Sequence, residues 1–255
     1  MAFLTSKEIG IKLKKAGQLE TDPLCICGSE TIPKNAIPIK DLNRCIAKSI
    51  FSLSSRKDID AIYIGNDNLK GCCPGGQAWL GYKPFLPQLK YFISTGLKSF
   101  RNGAAEFLLA NPELAEQQLN SVGTIKPIGK YISIVKSDSI DNIDSEVKAF
   151  LCFGNSEQIR NLCSLAYFQP ENDFIVKMPW GPSCASFVTY PAGLIKKNKN
   201  NVIIGPTDPT GNYWFPQNCL SLGIPIKIAH LMANNLDNSF IIKRSKVAYP
   251  EKRML

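Results

Sequence analysis

The stretch VKAFLCFGNSEQIRNLCSLAY, residues 147–167, carries the clearest structural signal of the chain. Its first seven residues are mostly apolar and predict a buried strand, which a glycine ends. Asn155 or Ser156 then supplies a side chain that caps a helix, and the helix is predicted to continue to about Tyr167. A further strand is predicted at 174–178. A strand, a helix and a strand at this spacing indicate a sheet with helices packed against it.

Elements of the same two kinds are predicted on both sides of this stretch. Further strands are predicted at 23–28, 61–65, 131–135, 202–205 and 240–243. Helices are predicted at 6–15, with Thr5 or Ser6 as the cap, and at 41–53, with Asp41 as the cap. Further helices are predicted at 87–95, 104–119 and 225–235, and from Gln77 onward. The sequence shows no internal repeat and no low-complexity linker. We therefore predict one α+β domain over residues 1–255, with a mixed β-sheet and helices packed on it.

The charge of the chain does not favour a nucleic-acid partner. The formal net charge is +9, but the excess is mostly lysine, whereas arginine is better suited to bidentate phosphate and base contacts. The densest basic cluster, KKNKNN at 196–201, is predicted to be a solvated loop because no aromatic residues are interleaved with it. No apolar run approaches the length of a membrane span, and the N-terminus lacks the apolar stretch of a signal peptide. We therefore expect a cytoplasmic protein that binds neither nucleic acid nor membrane.

Residue counts exclude several common catalytic chemistries. The one histidine, His230, is interpreted as a partly buried residue of a helix, so sites with several histidines and Ser-His-Asp machinery are excluded. No phosphate-binding glycine motif follows a predicted strand. Asp208 in GPTDPTG lies in a rigid turn, as either a plain turn former or the wall of a site. These counts leave the reaction, if there is one, undetermined.

Nine cysteines are the unusual feature of the composition. Stable disulfides are not expected in a reducing cytoplasm, and the count is odd. Cys152 and Cys163 lie within apolar runs and are predicted to pack in the core. The others, Cys25, Cys27, Cys45, Cys72, Cys73, Cys184 and Cys219, lie near turns or caps. Packing alone does not require that placement.

Four of these cysteines share an electropositive setting. Cys45, Cys73, Cys184 and Cys219 are each predicted near the start of a helix or a glycine turn, where partial positive charge stabilises a thiolate. Gly75 and Gly76 follow Cys73 in KGCCPGG, and their missing side chains let the backbone approach a bulky ligand. Thiolates bind zinc and iron–sulfur clusters. The chain has no CxxC pair, so the fold would have to bring these sulfurs together; scattered reduced thiols are the alternative.

Short motifs occur in order along both halves of the chain. They are Arg44-Cys45, IYIG at 62–65, CPGG at 73–76, WLGY at 79–82, ISTG at 93–96, GPSC at 181–184, VIIG at 202–205, Thr207-Asp208, LGIP at 222–225, Asn235 and Ser239-Phe240. Together they resemble the uncharacterised ArCR-type family, a domain of unknown function common in archaea and anaerobic bacteria. The resemblance covers nearly the whole chain and implies a single cytoplasmic domain of unestablished activity. It implies that Cys45, Cys73 and Cys184 belong to the family pattern, which Cys72 and Cys219 do not clearly match. Many relatives carry an arginine where this chain has Gly211-Asn212, which weakens an anion-binding role for that loop.

The first functional hypothesis is an iron–sulfur protein. One [4Fe–4S] cluster would be bound by Cys45, Cys73, Cys184 and Cys219, with Cys72 as a substitute for an uncertain ligand. The cluster would exchange electrons with a redox partner protein or bind a small-molecule substrate. A structural zinc site with four cysteine ligands is the alternative metal centre.

Two further hypotheses need no metal. One is a non-redox module that binds a small molecule in a pocket lined by glycine turns, with Trp79, Trp180 and Trp214 as walls; packing of these tryptophans in the core is the alternative. The other is thiol chemistry at the adjacent Cys72 and Cys73, including a disulfide between them. The sequence does not indicate an oligomeric state.

Overall fold

The computed structural model describes residues 4–140, 146–195, 200–209, 211 and 213–250. Within these residues, strands form one mixed sheet. They are β1 Leu24–Ser29, β2 Ile37–Pro38, β3 Ala61–Ile64, β4 Tyr131–Lys136, β5 Val147–Gly154, β6 Val176–Lys177, β7 Val202–Gly205 and β8 Leu220–Pro225. Their spatial order is β2-β3-β4-β1-β5-β8-β7-β6.

The described residues also form helices, several of which pack on the two faces of this sheet. They are α1 Ser6–Gly17, α2 Ile46–Ser55, α3 Pro74–Trp79, α4 Leu89–Phe92, α5 Pro112–Val122, α6 Ser156–Ala166, α7 Ile226–Asn235, α8 Phe240–Lys243 and α9 Ser245–Ala248, with a short π-helix at Ala185–Thr189. The predicted α+β class, a mixed sheet with helices packed on it, is therefore confirmed.

The two halves of the sheet repeat one topology. Counted from its own edge, each half has the order second, third, fourth, first strand: β2-β3-β4-β1 and β6-β7-β8-β5. The second strand of each half runs parallel to the third. The third and fourth strands pair antiparallel, as do the fourth and first. No repeat is visible in the sequence, so this duplication is evident only in the structure.

The register relates the halves by an approximate two-fold axis. β1 and β5 pair through Leu24↔Leu151, Cys25↔Phe150 and Ile26↔Ala149. Leu24 and Ala149 are equivalent, because each pairs with the last residue of the fourth strand of its half. Exchanging the halves therefore turns the first of these pairs into the third and leaves the pair of Cys25 and Phe150 unchanged. The axis passes through that central pair, perpendicular to the sheet.

Strand side chains alternate between two apolar layers. We call one layer the site face; it includes Ile26, Ile62, Ile134, Leu151 and Ile203, and α2, α3 and the π-helix pack on it. The opposite face includes Cys27, Val135, Cys152, Leu222 and Ile224, and it packs against α1, α6 and α7. The sheet is thus buried on both sides, and each layer offers a separate environment for cysteines.

The helix caps predicted from sequence are present. Thr5 caps α1 in a capping box with Glu8, and Asn155 caps α6 in a capping box with Gln158. α6 ends one residue before the predicted Tyr167. Both helices pack against the opposite face of the sheet.

Other boundaries differ from the prediction. The helix predicted at 41–53 begins only at Ile46, after a 3₁₀ turn at Ile39–Asp41. The helix prediction at 104–119 is wrong for its first part, because α5 begins at Pro112, whose fixed φ suits the first helical position. Residues 240–243 form α8 and not a strand, since so short an apolar run fits either element. Most of the predicted basic loop, 196–199, lies outside the described residues.

Candidate functional site

Cys45 lies at the start of α2, on the site face. It is the N-cap residue of the helix, and its backbone N–H donates to Asn43 Oδ1 at 2.9 Å. The thiol is half-buried beside the backbone N–H groups of Ala47 and Lys48, which begin the helix. Because these N–H groups lack helical partners, they place partial positive charge next to the sulfur.

Cys72 and Cys73 lie in the loop between β3 and α3, which buried polar side chains hold in place. Asn68 is 1% exposed; its Oδ1 accepts from Gly65 N–H and its Nδ2 donates to Tyr63 O, both at 3.0 Å. Gln77 Nε2 donates to the Cys72 carbonyl at 2.9 Å. The cysteine pattern did not indicate that Asn68 and Gln77 belong to the site. The one available signal was an Asn shortly after a predicted strand, a position where Asx turns form.

A backbone hydrogen bond joins this loop to the segment of Cys45. The N–H of Cys73 donates to the carbonyl of Arg44 at 3.0 Å. Cys73 is also the N-cap residue of α3, and Pro74 takes the first helical position. The helix predicted from Gln77 therefore begins three residues earlier. Two helix starts that carry a cysteine thus lie side by side.

Cys184 reaches the same region from the second half of the chain. The π-helix that follows it lies directly on β7 and β8. A Cβ atom on Gly205 would be 2.4 Å from Ser186 Cβ, and one on Gly223 would be 2.6 Å from Pro191 Cγ. Only a residue without a side chain permits this approach, so the two glycines determine how deeply Cys184 is buried, with 4% of its surface exposed.

Gly76 lies between the thiols of Cys73 and Cys184. A Cβ atom on Gly76 would be 3.0 Å from Cys73 Sγ, 3.3 Å from Cys184 Sγ and 3.0 Å from Ile46 Cδ1. Both sulfur atoms therefore approach one point, and their separation cannot exceed the sum of their two distances from it. A Cβ on Gly75, in contrast, would meet nothing within 4 Å. The sequence singles out both glycines, but only Gly76 is needed for packing around the thiols.

Four thiols lie close enough to affect one another's ionisation, and we call Cys45, Cys72, Cys73 and Cys184 the thiol cluster. Burial raises the pKa of Cys184 well above its usual value, and the thiols of Cys73, Cys45 and Cys72 raise it further. Burial also raises the pKa of Cys45, against the effect of the N–H groups of α2. The pKa of Cys72 is raised by burial and then by Cys73 and Cys45. Ionised thiolates here would repel one another, and a bound cation would relieve that repulsion.

Cys219 has a different environment. Its thiol donates to the carbonyl of Leu220 at 3.6 Å and lies near the backbone N–H of Gly154. Burial raises its pKa, and within the described part of the chain no thiol of the cluster contributes to that shift. The structure thus brings together three of the four ligands predicted from sequence, Cys45, Cys73 and Cys184, with Cys72, the predicted substitute.

The remaining cysteines lie on the opposite face. Cys25, Cys27 and Cys152 are fully buried in strands, and Cys163 is half-buried on α6 against the same layer. Burial raises the pKa of Cys152 and of Cys163 to about 12. The prediction of core packing is confirmed for Cys152, and Cys163 packs at the edge of that core.

The other residues singled out by sequence lie elsewhere or have structural contacts. His230 is half-buried on α7, which packs on the opposite face. Asp208 Oδ1 accepts from Gly211 N–H at 3.2 Å, as a turn former does. Trp79 is 3% exposed and contacts Trp180 edge to face, with ring centroids 6.4 Å apart. Trp214 packs against Phe51 and Phe215.

Cys45 and Cys184 occupy equivalent places in the two halves. Each comes seven residues after the end of the second strand of its half, Pro38 in β2 and Lys177 in β6. Each also directly precedes the helix that leads to the third strand. The thiol cluster therefore forms between the two halves, with Cys72 and Cys73 contributed by the connection from β3 to β4.

A comparison with models of protein families agrees with the resemblance seen in the motifs. No curated protein and no solved structure matches the chain. Among the described residues, no helix is both long enough and apolar enough to cross a membrane. A family model described as uncharacterised ArCR matches residues 12–235, a range that holds the strands β1 to β8 and the whole thiol cluster. The chain therefore belongs to the uncharacterised ArCR family, a domain family of unknown function.

Proposed function

We propose that this chain is an iron–sulfur protein that holds one [4Fe–4S] cluster through Cys45, Cys73 and Cys184, with Cys72 as the fourth sulfur. The observation that supports this most is the approach of Cys73 Sγ and Cys184 Sγ to one point beside Gly76. Cysteine thiolates are the usual ligands of such clusters. We place Cys219 outside the ligand set because its thiol interacts with the strand ends around Gly154 and Leu220.

A single ion and a cluster require different spacings of the thiols. Thiolates on one tetrahedral zinc ion lie about 3.8 Å apart, given a Zn–S distance of about 2.3 Å. Within the residues that the structure describes, no three His, Cys, Asp or Glu side chains are close enough to hold a metal ion. The ligands of a four-iron cluster bind different iron atoms, so they stand farther apart. A structural zinc site is the competing proposal that the same experiment tests.

The surroundings of the thiols suit an anionic cluster that exchanges electrons. The backbone N–H groups of Ala47 and Lys48 at the start of α2 lie beside Cys45, and that of Ala47 also lies beside Cys184, which stabilises negative charge on these sulfurs. Cys45 and Cys73 are half-buried, so that one side of the group would lie near the surface, where a redox partner protein can donate or accept a single electron. Because the pKa values of Cys45, Cys72 and Cys184 are raised, binding must release protons, and affinity should increase with pH.

Anaerobic reconstitution with ferrous iron and sulfide tests this proposal. We expect about four iron and four sulfide per chain, with visible absorption that dithionite bleaches. Cys45→Ala, Cys73→Ala and Cys184→Ala should each lose most of the iron. Cys219→Ala and Cys163→Ala are the matched controls and should retain it.

Two results would reject the proposal. One is a colourless protein that takes up a single zinc ion and loses it in the same three variants, which supports the structural zinc site. The other is iron binding that Cys45→Ala, Cys73→Ala and Cys184→Ala leave unchanged, since the bound metal would then lie elsewhere. Circular dichroism of each metal-free variant ensures that a loss of iron is not a loss of folding.

A further inference from the structure

A groove lies at the C-terminal end of α3, the end that is farther from the thiol cluster. Two adjoining cavities of about 380 and 360 Å³ form it, and they share Phe85, Gly123 and Thr124. Its sides come from two segments, 78–90 and 116–125, which are distant in sequence and packed together in space. Cavities of this size are typical of sites for small molecules.

The groove is built by a part of the chain that only the first half possesses. The connection from β3 to β4 contains α3, α4 and α5. The equivalent connection from β7 to β8, residues 206–219, contains no helix in its described residues. Since the second half completes the same four-strand topology without these helices, the strand order does not require them. A large addition to a framework that is complete without it indicates a role in binding.

The larger of the two cavities has an apolar wall, whereas polar side chains such as Lys90, Glu116 and Asn120 line much of the other. Ala78 and Ile125 line the larger cavity and are buried at 5% and 9% exposure. Phe85 lines both cavities and packs edge to face against Trp79, with ring centroids 5.3 Å apart. An aromatic side chain held by a buried tryptophan offers a firm surface for the apolar body of a ligand.

The charged side chains of the groove favour one acidic group on that ligand. They are Lys83, Lys90 and Glu116. Lys90 Nζ lies 2.9 Å from Glu116 Oε1, so these two charges offset each other. Lys83 is exposed and makes no ion pair with any residue that the structure describes. The hydroxyl of Tyr82 is already engaged, because it donates to Ile64 O at 2.8 Å.

We propose that this groove binds a small molecule with an apolar body and one carboxylate or sulfonate group. The acidic group pairs with Lys83, and the apolar body lies against Phe85 and Ile125. Gly123 leaves room for it, because a Cβ atom there would meet nothing within 4 Å. This inference does not depend on a metal at the thiol cluster.

A fluorescence titration with 1-anilinonaphthalene-8-sulfonate, an apolar sulfonate, tests the proposal, with decanoate as a competing carboxylate. We expect saturable binding of one molecule per folded chain, which decanoate displaces. Lys83→Gln should weaken binding about tenfold, because a charged hydrogen bond is lost. Thr124→Trp should fill both cavities and abolish saturable binding. Lys57→Gln, an exposed lysine outside the groove, is the matched control and should bind like the original chain.

Circular dichroism and thermal unfolding establish that each variant is folded before it is titrated. Binding that is not saturable, or that Lys83→Gln leaves unchanged, would overturn the proposal. Because Lys83 is exposed at the surface, Lys83→Gln should fold normally. Its titration therefore tests binding in the groove even if Thr124→Trp does not fold. Equal weakening by Lys57→Gln would also count against it, since the dye would then respond to net charge alone.

Discussion

Two adjacent glycines provide a sharp test of how the thiols are packed. Gly75 and Gly76 both lie in α3, and alanine in a helix is favoured over glycine by about 0.5–1 kcal/mol. Gly75→Ala adds a methyl group in open space. It should therefore keep that gain and raise the free energy of unfolding by up to about 1 kcal/mol.

Gly76→Ala adds the same methyl group between the thiols. The new Cβ would lie 3.0 Å from Cys73 Sγ and Ile46 Cδ1, and 3.3 Å from Cys184 Sγ, so each of these atoms must shift by a few tenths of an ångström. Overpacking of this kind costs about 1–3 kcal/mol, which outweighs or cancels the gain in helix propensity. We expect Gly76→Ala to be less stable than Gly75→Ala by about 1–3 kcal/mol.

Urea unfolding of the metal-free, reduced proteins under argon measures this difference. The slope of free energy against urea should be unchanged, so that the shift in midpoint reports stability. After reconstitution, Gly75→Ala should retain its iron and Gly76→Ala should lose most of it, because the sulfurs are pushed apart. Equal stability of the two variants would refute the packing of Cys73 and Cys184 around Gly76. It would also remove the main support for a shared ligand.

Three further predictions concern the framework of the site and the core of the opposite face. Asn68→Ala removes the partner of two backbone groups and should lower the free energy of unfolding by about 2–3 kcal/mol in the same urea assay. The control Asn66→Ala, at an exposed position, should change that free energy by less than about 0.5 kcal/mol. Gly205→Ala places a Cβ 2.4 Å from Ser186 Cβ and should lower the free energy of unfolding by about 3 kcal/mol. In a double-mutant cycle, adding Ser186→Gly should restore part of that stability, and strictly additive effects of the two substitutions would contradict the predicted contact. Burial raises the pKa of Cys152 to about 12, so above its normal value near 9 the unfolded chain loses a proton that the folded chain keeps. Stability from this group is therefore complete below about pH 9 and falls by about 1.4 kcal/mol for each pH unit above it, and Cys152→Ala should remove that part of the slope.

The agreement between sequence and structure is best where the signal is local. The capping boxes at Thr5 and Asn155 are complete within four residues of chain, so the starts of α1 and α6 are predictable. The helix prediction from Asp41 fails because a 3₁₀ turn intervenes and Cys45 itself becomes the cap. Judged by local sequence alone, Asp41 is at least as good a helix cap as Cys45. We attribute the start of α2 at Ile46 to its packing on the site face.

At the candidate site, too, local features were predictable from sequence and long-range contacts were not. The residue types and the electropositive helix starts made Cys45, Cys73 and Cys184 visible in the sequence. Cys219 met the same local criteria, yet the structure places its thiol beside Gly154 and Leu220. Cys72 was predicted only as a substitute ligand, because of its position next to Cys73, and its part in the thiol cluster follows from the loop that Asn68 and Gln77 hold.

Residue order along the chain was enough to predict the class of the fold, the main caps, the core placement of Cys152 and the family. These depend on apolar periodicity and on hydrogen bonds between residues a few positions apart. The folded molecule was needed to establish which distant thiols meet and that the two halves share one topology. Strand order and register are properties of the whole packed sheet, and many different apolar sequences satisfy them, so neither the duplication nor the meeting of Cys45 with Cys184 leaves a local trace.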